Sequence, residues 1–150
     1  MTLNNASNFF ESLVSETSNK SEIKVYQEFL LILTRMKLRA FSTDEIKSIE
    51  TELDSLNLES NPENRKKYFK KILKGFKIYL KEKHSLVSAG HYANLYISLG
   101  ASFGIVFGII IGERTEKSLG IALGISLGML IGLTIGRNMD SQAKAAGKML

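Results

Sequence analysis

Leu99–Gly112 reads LGASFGIVFGIIIG, and Leu119–Gly136 reads LGIALGISLGMLIGLTIG. Glycine returns at every fourth position, at Gly100, Gly104, Gly108 and Gly112, then at Gly120, Gly124, Gly128, Gly132 and Gly136. Four residues advance an α-helix by about 400°, so successive glycines drift by ~40° and form a slowly curling stripe on one face. At about 1 kcal/mol per glycine relative to alanine, this density would melt a helix in water. In lipid the backbone must satisfy its own hydrogen bonds, and the helix survives. A stripe of small residues then lets a second backbone approach closely. The pattern specifies membrane helices that pack tightly, and it leaves their purpose open.

Lengths and charges extend this reading. Leu95–Gly112 and Leu119–Gly136 each run for 18 residues without a charge, which at ~1.5 Å per residue is about 27 Å, enough for a thin hydrocarbon core. The link 113–118 is too short to cross back, so the two helices are expected to be antiparallel. Because both runs sit at the lower edge of spanning length, a buried soluble hairpin is the competing reading. Arg65, Lys66, Lys67, Lys70, Lys71, Lys74, Lys77, Lys81 and Lys83 precede the first run, and Arg137, Lys144 and Lys148 follow the second. The link holds only Arg114 and Lys117, beside Glu113 and Glu116. The positive-inside rule then places both termini in the cytoplasm and the link outside, in a two-span protein of the inner cell membrane. Tyr92 and Tyr96 fall where an inner-leaflet aromatic belt would lie. The expected divisions are a transmembrane helix at 92–112, an external loop at 113–118, a second transmembrane helix at 119–136 and a cytoplasmic tail at 137–150.

Positions two residues away from the glycines lie on the opposite face. They are Asn94, Ser98, Ser102, Val106 and Ile110 in the first run, and Ala122, Ser126, Leu130 and Thr134 in the second. Asn94, Ser98, Ser102, Ser126 and Thr134 make this a weakly polar stripe, the candidate lining of a lumen. The simpler reading is that each hydroxyl bonds back to the carbonyl four residues earlier and needs no partner.

The two Gly-x-x-x-Gly ladders resemble those of glycine-zipper membrane hairpins, a broad class of small bacterial two-span proteins. The resemblance covers residues 95–136. It implies self-association into a homo-oligomer, with the glycines as packing and oligomerisation positions, and for some members a channel or pore. The proton-carrying rotor subunit of ATP synthases is also a glycine-rich hairpin. This chain departs from it, with no Asp or Glu in either run and a glycine period of four rather than two.

Residues 1–91 carry 15 Lys/Arg and 12 Asp/Glu, against 5 and 3 in residues 92–150, so the chain divides into a charged part and an apolar part. Residues 1–85 are expected to form a cytoplasmic helical domain, with helices near 8–15, 21–41, 43–57 and 62–84. Ile23, Tyr26, Leu30, Leu33, Met36 or Lys37, and Phe41 recur at near-helical spacing in the second helix. Ser42-Thr43-Asp44-Glu45 is a capping box for the third, which carries Ile46, Ile49, Leu53 and Leu56. Asn61-Pro62-Glu63 reads as the start of the fourth, with Phe69, Ile72, Leu73, Phe76, Tyr79 and Leu80 on one face and lysines on the rest. Residues 86–91 are either a hinge or a continuation of that helix into the first span. The basic residues from Arg65 to Lys83, with Arg137, are the candidate contacts for lipid headgroups. A solvated face that doubles as a topology signal accounts for the same cluster.

The chemistry of catalysis is missing. There is no cysteine, which excludes thiol catalysis, disulfides and thiolate metal sites. A single proline, Pro62, fits a mostly helical chain, and the first residues lack the pattern of a secretory signal. His84 and His91 have no third ligand nearby in sequence, so no metal site is expected. No phosphate-binding loop and no nucleophile elbow occur. No catalytic residue and no cofactor are assigned, and an enzyme is not expected. Nucleic acid is a poor fit, because no fold signature accompanies the lysines. The expected fold is all-α: a cytoplasmic helical bundle followed by an antiparallel two-helix transmembrane hairpin with glycine-zipper faces. Its expected partners are the bilayer, anionic lipid, further copies of itself and a cytoplasmic protein. The expected function is an oligomeric channel, pore or membrane-permeabilising effector, assembled through the glycine helices and controlled by the cytoplasmic domain; the alternatives are a non-conducting anchor that recruits a protein through its bundle and a membrane-shaping protein.

Overall fold

Side-chain caps set where the first helices begin. α1 (Leu3–Glu16) starts after Thr2, whose hydroxyl accepts a hydrogen bond from the Asn5 N–H at 3.1 Å. α2 (Lys20–Lys37) starts after Asn19, which accepts from the Ser21 N–H at 3.0 Å. α3 (Thr43–Ser55) has both halves of the capping box: the Glu45 N–H donates to Ser42 Oγ at 3.3 Å, and the Ser42 N–H donates to Glu45 Oε2 at 2.8 Å. The bonds from the Ser42 backbone and hydroxyl hold the Glu45 carboxyl below its ordinary pKa. α4 (Arg65–His84) starts after Asn64, whose side chain accepts from the Lys67 N–H at 3.0 Å. The expected start at Asn61-Pro62-Glu63 is therefore displaced. Asn61 lies outside the described residues and Pro62 precedes the helix. Asn64 offers the capping chemistry expected of an N-cap asparagine, with the Lys67 N–H in reach.

The computed structural model describes residues 1–150 except Asn61, Arg114 and Thr115. Among the described residues the chain is all-helical, with six helices and an isolated bridge between Val87 and Met149 in place of a sheet. It falls into two units, Met1–Leu86 with Leu150, and Val87–Met149.

In the first unit α1 to α4 share one core. α1 contributes Ala6, Phe10 and Leu13, and α2 contributes Tyr26, Phe29, Leu33 and Met36. α3 adds Ile49 and Leu53, and α4 adds Phe69, Leu73, Phe76 and Leu80. The spacing within each set is three or four residues, the period of one helix face. Aromatic rings tie the helices together: Phe10 stacks on Phe29 at 4.3 Å between centroids, and Tyr26 meets Phe69 edge-on at 5.3 Å. Such pairs contribute about 0.5–1.5 kcal/mol beyond the area they bury. α1 is longer than the stretch 8–15 expected for it, because Thr2 caps it early and Ala6 is already in the core. α2 stops at Lys37 rather than running to Phe41. The capping residue Ser42 needs extended backbone (φ −66°, ψ 160°), so the chain leaves the helix first and Phe41 packs on the core from the connection.

Tyr26 is fully buried, and its hydroxyl meets no hydrogen-bond partner among the described residues. Burial, with a smaller contribution from the nearby Glu22 carboxylate, raises its pKa above the ordinary phenol value. A buried unpaired hydroxyl carries its desolvation cost uncompensated. Tyr26→Phe is accordingly expected to stabilise the bundle by about 1 kcal/mol, measurable as a higher urea midpoint by circular dichroism.

α4 ends decisively. Ser85 takes left-handed backbone (φ 54°), and the Leu86 N–H donates back to the Leu80 carbonyl at 3.0 Å, a closing turn that a continuing helix cannot contain. The chain is therefore not helical between Ser85 and Gly90, and His84 and His91 lie on different helices. In the second unit, α5 (His91–Gly112) follows Gly90, also left-handed at φ 74°. α6 (Lys117–Ala145) is 29 residues long and continues well past Gly136 into what reads as a tail. Arg137–Ala145 contains no glycine or proline, so nothing stops the helix before Gly147, where the Lys148 N–H donates to the Ala143 carbonyl at 2.8 Å.

Candidate functional site

The second unit is organised around its glycines. A Cβ added to Gly104 would overlap the Gly124 carbonyl oxygen and lie 2.8 Å from its carbon. One added to Gly108 would lie 2.6 Å from the Gly120 oxygen, and one on Gly100 would lie 2.8 Å from the Gly128 carbonyl carbon. Beyond the α5 ladder, Gly132 faces Tyr96, and Gly136 faces Tyr92 and Ala93, again backbone against backbone. The partners run in reverse order: as the α5 position rises by four, the α6 position falls by four. At these distances no side chain fits between the helices, so each glycine on one is required by the other. Gly100, Gly104 and Gly108 thus lie against Gly128, Gly124 and Gly120 within a single chain.

The opposite stripe is also accounted for. Ser98 donates to the Asn94 carbonyl at 3.0 Å, Ser102 to the Ser98 carbonyl at 2.9 Å, Ser126 to the Ala122 carbonyl at 2.8 Å and Thr134 to the Leu130 carbonyl at 2.9 Å. Every hydroxyl of the candidate lumen thus bonds back along its own helix. Asn94, Ser98, Ser102, Ser126 and Thr134 are all exposed, on the sides of α5 and α6 turned away from the glycine contact.

Asp140 has a structural role that no sequence motif marks. It sits on the extension of α6, one turn past Gly136. Its Oδ1 accepts from the Tyr92 N–H at 3.0 Å, and its Oδ2 accepts from the Ala93 N–H at 3.1 Å. α5 has no side-chain cap of its own, since Gly90 occupies the capping position. The carboxylate supplies that cap from the other helix, at the positive end of the α5 dipole. Asp140 is the lone acid after Glu116, and that isolation was the available signal.

The basic residues of α4 divide. Arg65 pairs with Glu16 at 4.0 Å, and Lys77 pairs with Glu28, so these two face neighbouring helices. Lys66, Lys67, Lys70, Lys71, Lys74, Lys81 and Lys83 are exposed. Arg137, on α6, is exposed too. Among the described residues no three His, Asp or Glu side chains are grouped to hold a metal.

The outer surface of α5 and α6 is apolar. Each contains an 18-residue window of mean hydropathy 2.1, of which only 17 % and 22 % is buried. Phe103, Phe107, Leu130 and Ile131 are 63 %, 62 %, 61 % and 61 % exposed. Core helices of a soluble protein would bury such faces, whereas lipid covers them without cost. No curated protein and no solved structure matches the chain. Residues 83–142 do match a family model, described as glycine zipper membrane protein. This segment, which holds α5 and nearly all of α6, is thus similar to the glycine zipper membrane proteins.

Proposed function

We propose that the chain is a two-span protein of the inner cell membrane in which an antiparallel hairpin of α5 and α6 anchors the α1–α4 bundle at the cytoplasmic surface. There the bundle recruits a protein partner. One observation carries this reading: the glycines are consumed inside one hairpin, so the hairpin is complete without a second copy. The back-bonded hydroxyls support it, since a lumen would draw on side chains with donors free for water or ions. The excess of Lys and Arg before α5 and after Gly136 supports cytoplasmic termini.

The second reading is an oligomeric channel or pore. The exposed polar stripe favours it, because Ser102 and Ser126 fall at the same level of the glycine pairing and could meet between copies. Under this reading copies would join through their outer faces, the glycine faces being occupied. Flux of ions and a small dye through liposomes holding the purified full chain separates the two. The anchor reading expects liposomes as tight as protein-free ones. Flux that Ser102→Leu with Ser126→Leu abolishes would overturn it and establish a conducting assembly.

A further inference from the structure

We infer that the outward face of α4 docks flat on the anionic headgroups of the bilayer that holds α5 and α6. At 100° per residue, Lys67, Lys70, Lys71, Lys74 and Lys81 fall within an arc of about 100°. All five are exposed, and the arc points away from the stripe of Phe69, Leu73, Phe76 and Leu80 that enters the core. Ile78 lies inside the same arc and is 46 % exposed, a branched apolar side chain with Lys74 and Lys81 on its face of the helix and Glu82 one turn on.

A helix packed on a bundle turns some charged face to water in any case. What that default does not supply is a single sign. Glu82, at the edge of the arc, is the only acid on α4. α3, which also has a solvent face, carries Asp44, Glu45, Glu50, Glu52 and Asp54 against one base, Lys47. α3 and α4 thus carry opposite signs, and α4 is the helix suited to a negative surface. Lysine stems lie along an interface while their ammonium groups reach the phosphates, and Ile78 would sit among the headgroups within the contact.

The occupant follows from the connectivity. Ser85–Gly90 alone separate α4 from α5. Six residues span at most about 20 Å, so the lysines are held near the bilayer surface at high effective concentration. This inference rests on the membrane reading of α5 and α6, and not on whether the hairpin conducts.

The test uses the full chain in liposomes. The chain has no cysteine, so Ile78→Cys gives one labelling site on the arc, and Glu52→Cys gives a control site on α3. Each is labelled with a fluorophore and exposed to a quencher carried on lipid headgroups or to one dissolved in water. Flotation with the liposomes and resistance to alkaline extraction report insertion separately, so loss of the membrane reading and loss of docking give different results. In phosphatidylglycerol-containing liposomes the label at position 78 is expected to be quenched from the lipid and shielded from water. In pure phosphatidylcholine, or at 0.5 M salt, the shielding is lost. At about five-fold per lysine, Lys70→Gln, Lys71→Gln and Lys74→Gln together weaken docking by roughly a hundred-fold, with insertion unchanged. The label at position 52 remains in water throughout. Equal shielding in neutral and anionic liposomes, or a label at position 78 that stays in water in both, overturns the inference.

Discussion

Gly104→Leu and Gly128→Leu are each expected to separate α5 from α6. Even a methyl group at Gly104 would overlap the Gly124 carbonyl, and one at Gly128 would lie 2.9 Å from the carbonyl carbon of Gly100 and 3.1 Å from the Gly104 Cα. The obstructing atoms are backbone, which cannot swing aside as a side-chain tip can. Relief requires the helices to move apart along their whole contact, because a rigid helix opened at one point loses the neighbouring close approaches too. Overpacking in a dense interior costs about 1–3 kcal/mol for a few added atoms, and leucine adds four. The sign is informative because helix propensity runs the other way: alanine or leucine in place of glycine favours the isolated helix by up to about 1 kcal/mol. Gly75 supplies the contrast, since it lies on the exposed side of α4 with nothing within 4 Å of an added Cβ. Gly75→Ala should therefore stabilise the bundle by about 1 kcal/mol, while Gly104→Ala destabilises the hairpin. Spin labels at Ser98 and Leu130, read as an interhelical distance in micelles, would show a lengthened or broadened separation in the Gly104 and Gly128 variants alone. An unchanged distance with leucine at both positions would mean that the close approach does not hold the helices together.

What could be read without coordinates follows how local each signal is. The glycine period and the capping box of Ser42 and Glu45 are written within a few residues, and the two ends of the capping box lie within one turn. The spacing in α2 names Tyr26, Leu33 and Met36 of the core but Leu30 in place of Phe29, because both are large and apolar and only the packing of Phe10 against Phe29 selects between them. The end of α4 was ambiguous for a related reason. Serine tolerates a helix and, at an energetic cost, the left-handed turn that Ser85 adopts. Whether the glycines meet within one chain was beyond local reading altogether, as a ladder that accepts one backbone accepts another equally well. Asp140 belongs to this class, since its two donors lie 48 and 47 residues away.

Asp140 matters because the glycine ladders leave register undetermined. With a period of four, sliding α6 past α5 by one repeat brings glycines opposite glycines again, about 6 Å away. Most of the contact is then nearly degenerate between neighbouring registers, and something outside the ladder must choose. The link between Gly112 and Lys117 limits the choice at one end. At the other end, the two bonds from Tyr92 and Ala93 to the Asp140 carboxylate form in one register only. They are charge-assisted and partly buried, and they satisfy two first-turn N–H groups of α5 that have no acceptor within their own helix. Asp140→Ala removes both acceptors and the charge at the positive end of α5, an expected loss of about 2 kcal/mol. Asp140→Asn retains one acceptor oxygen and should lose roughly half as much. Detergent-induced unfolding of the hairpin, followed by circular dichroism, measures both. The labels at Ser98 and Leu130 then separate a stability effect from a register effect. A second distance population in Asp140→Ala, with the native one alone in Asp140→Asn, would show the carboxylate selecting among registers that the glycines cannot tell apart. A single unshifted distance in both variants would assign that choice to the link instead.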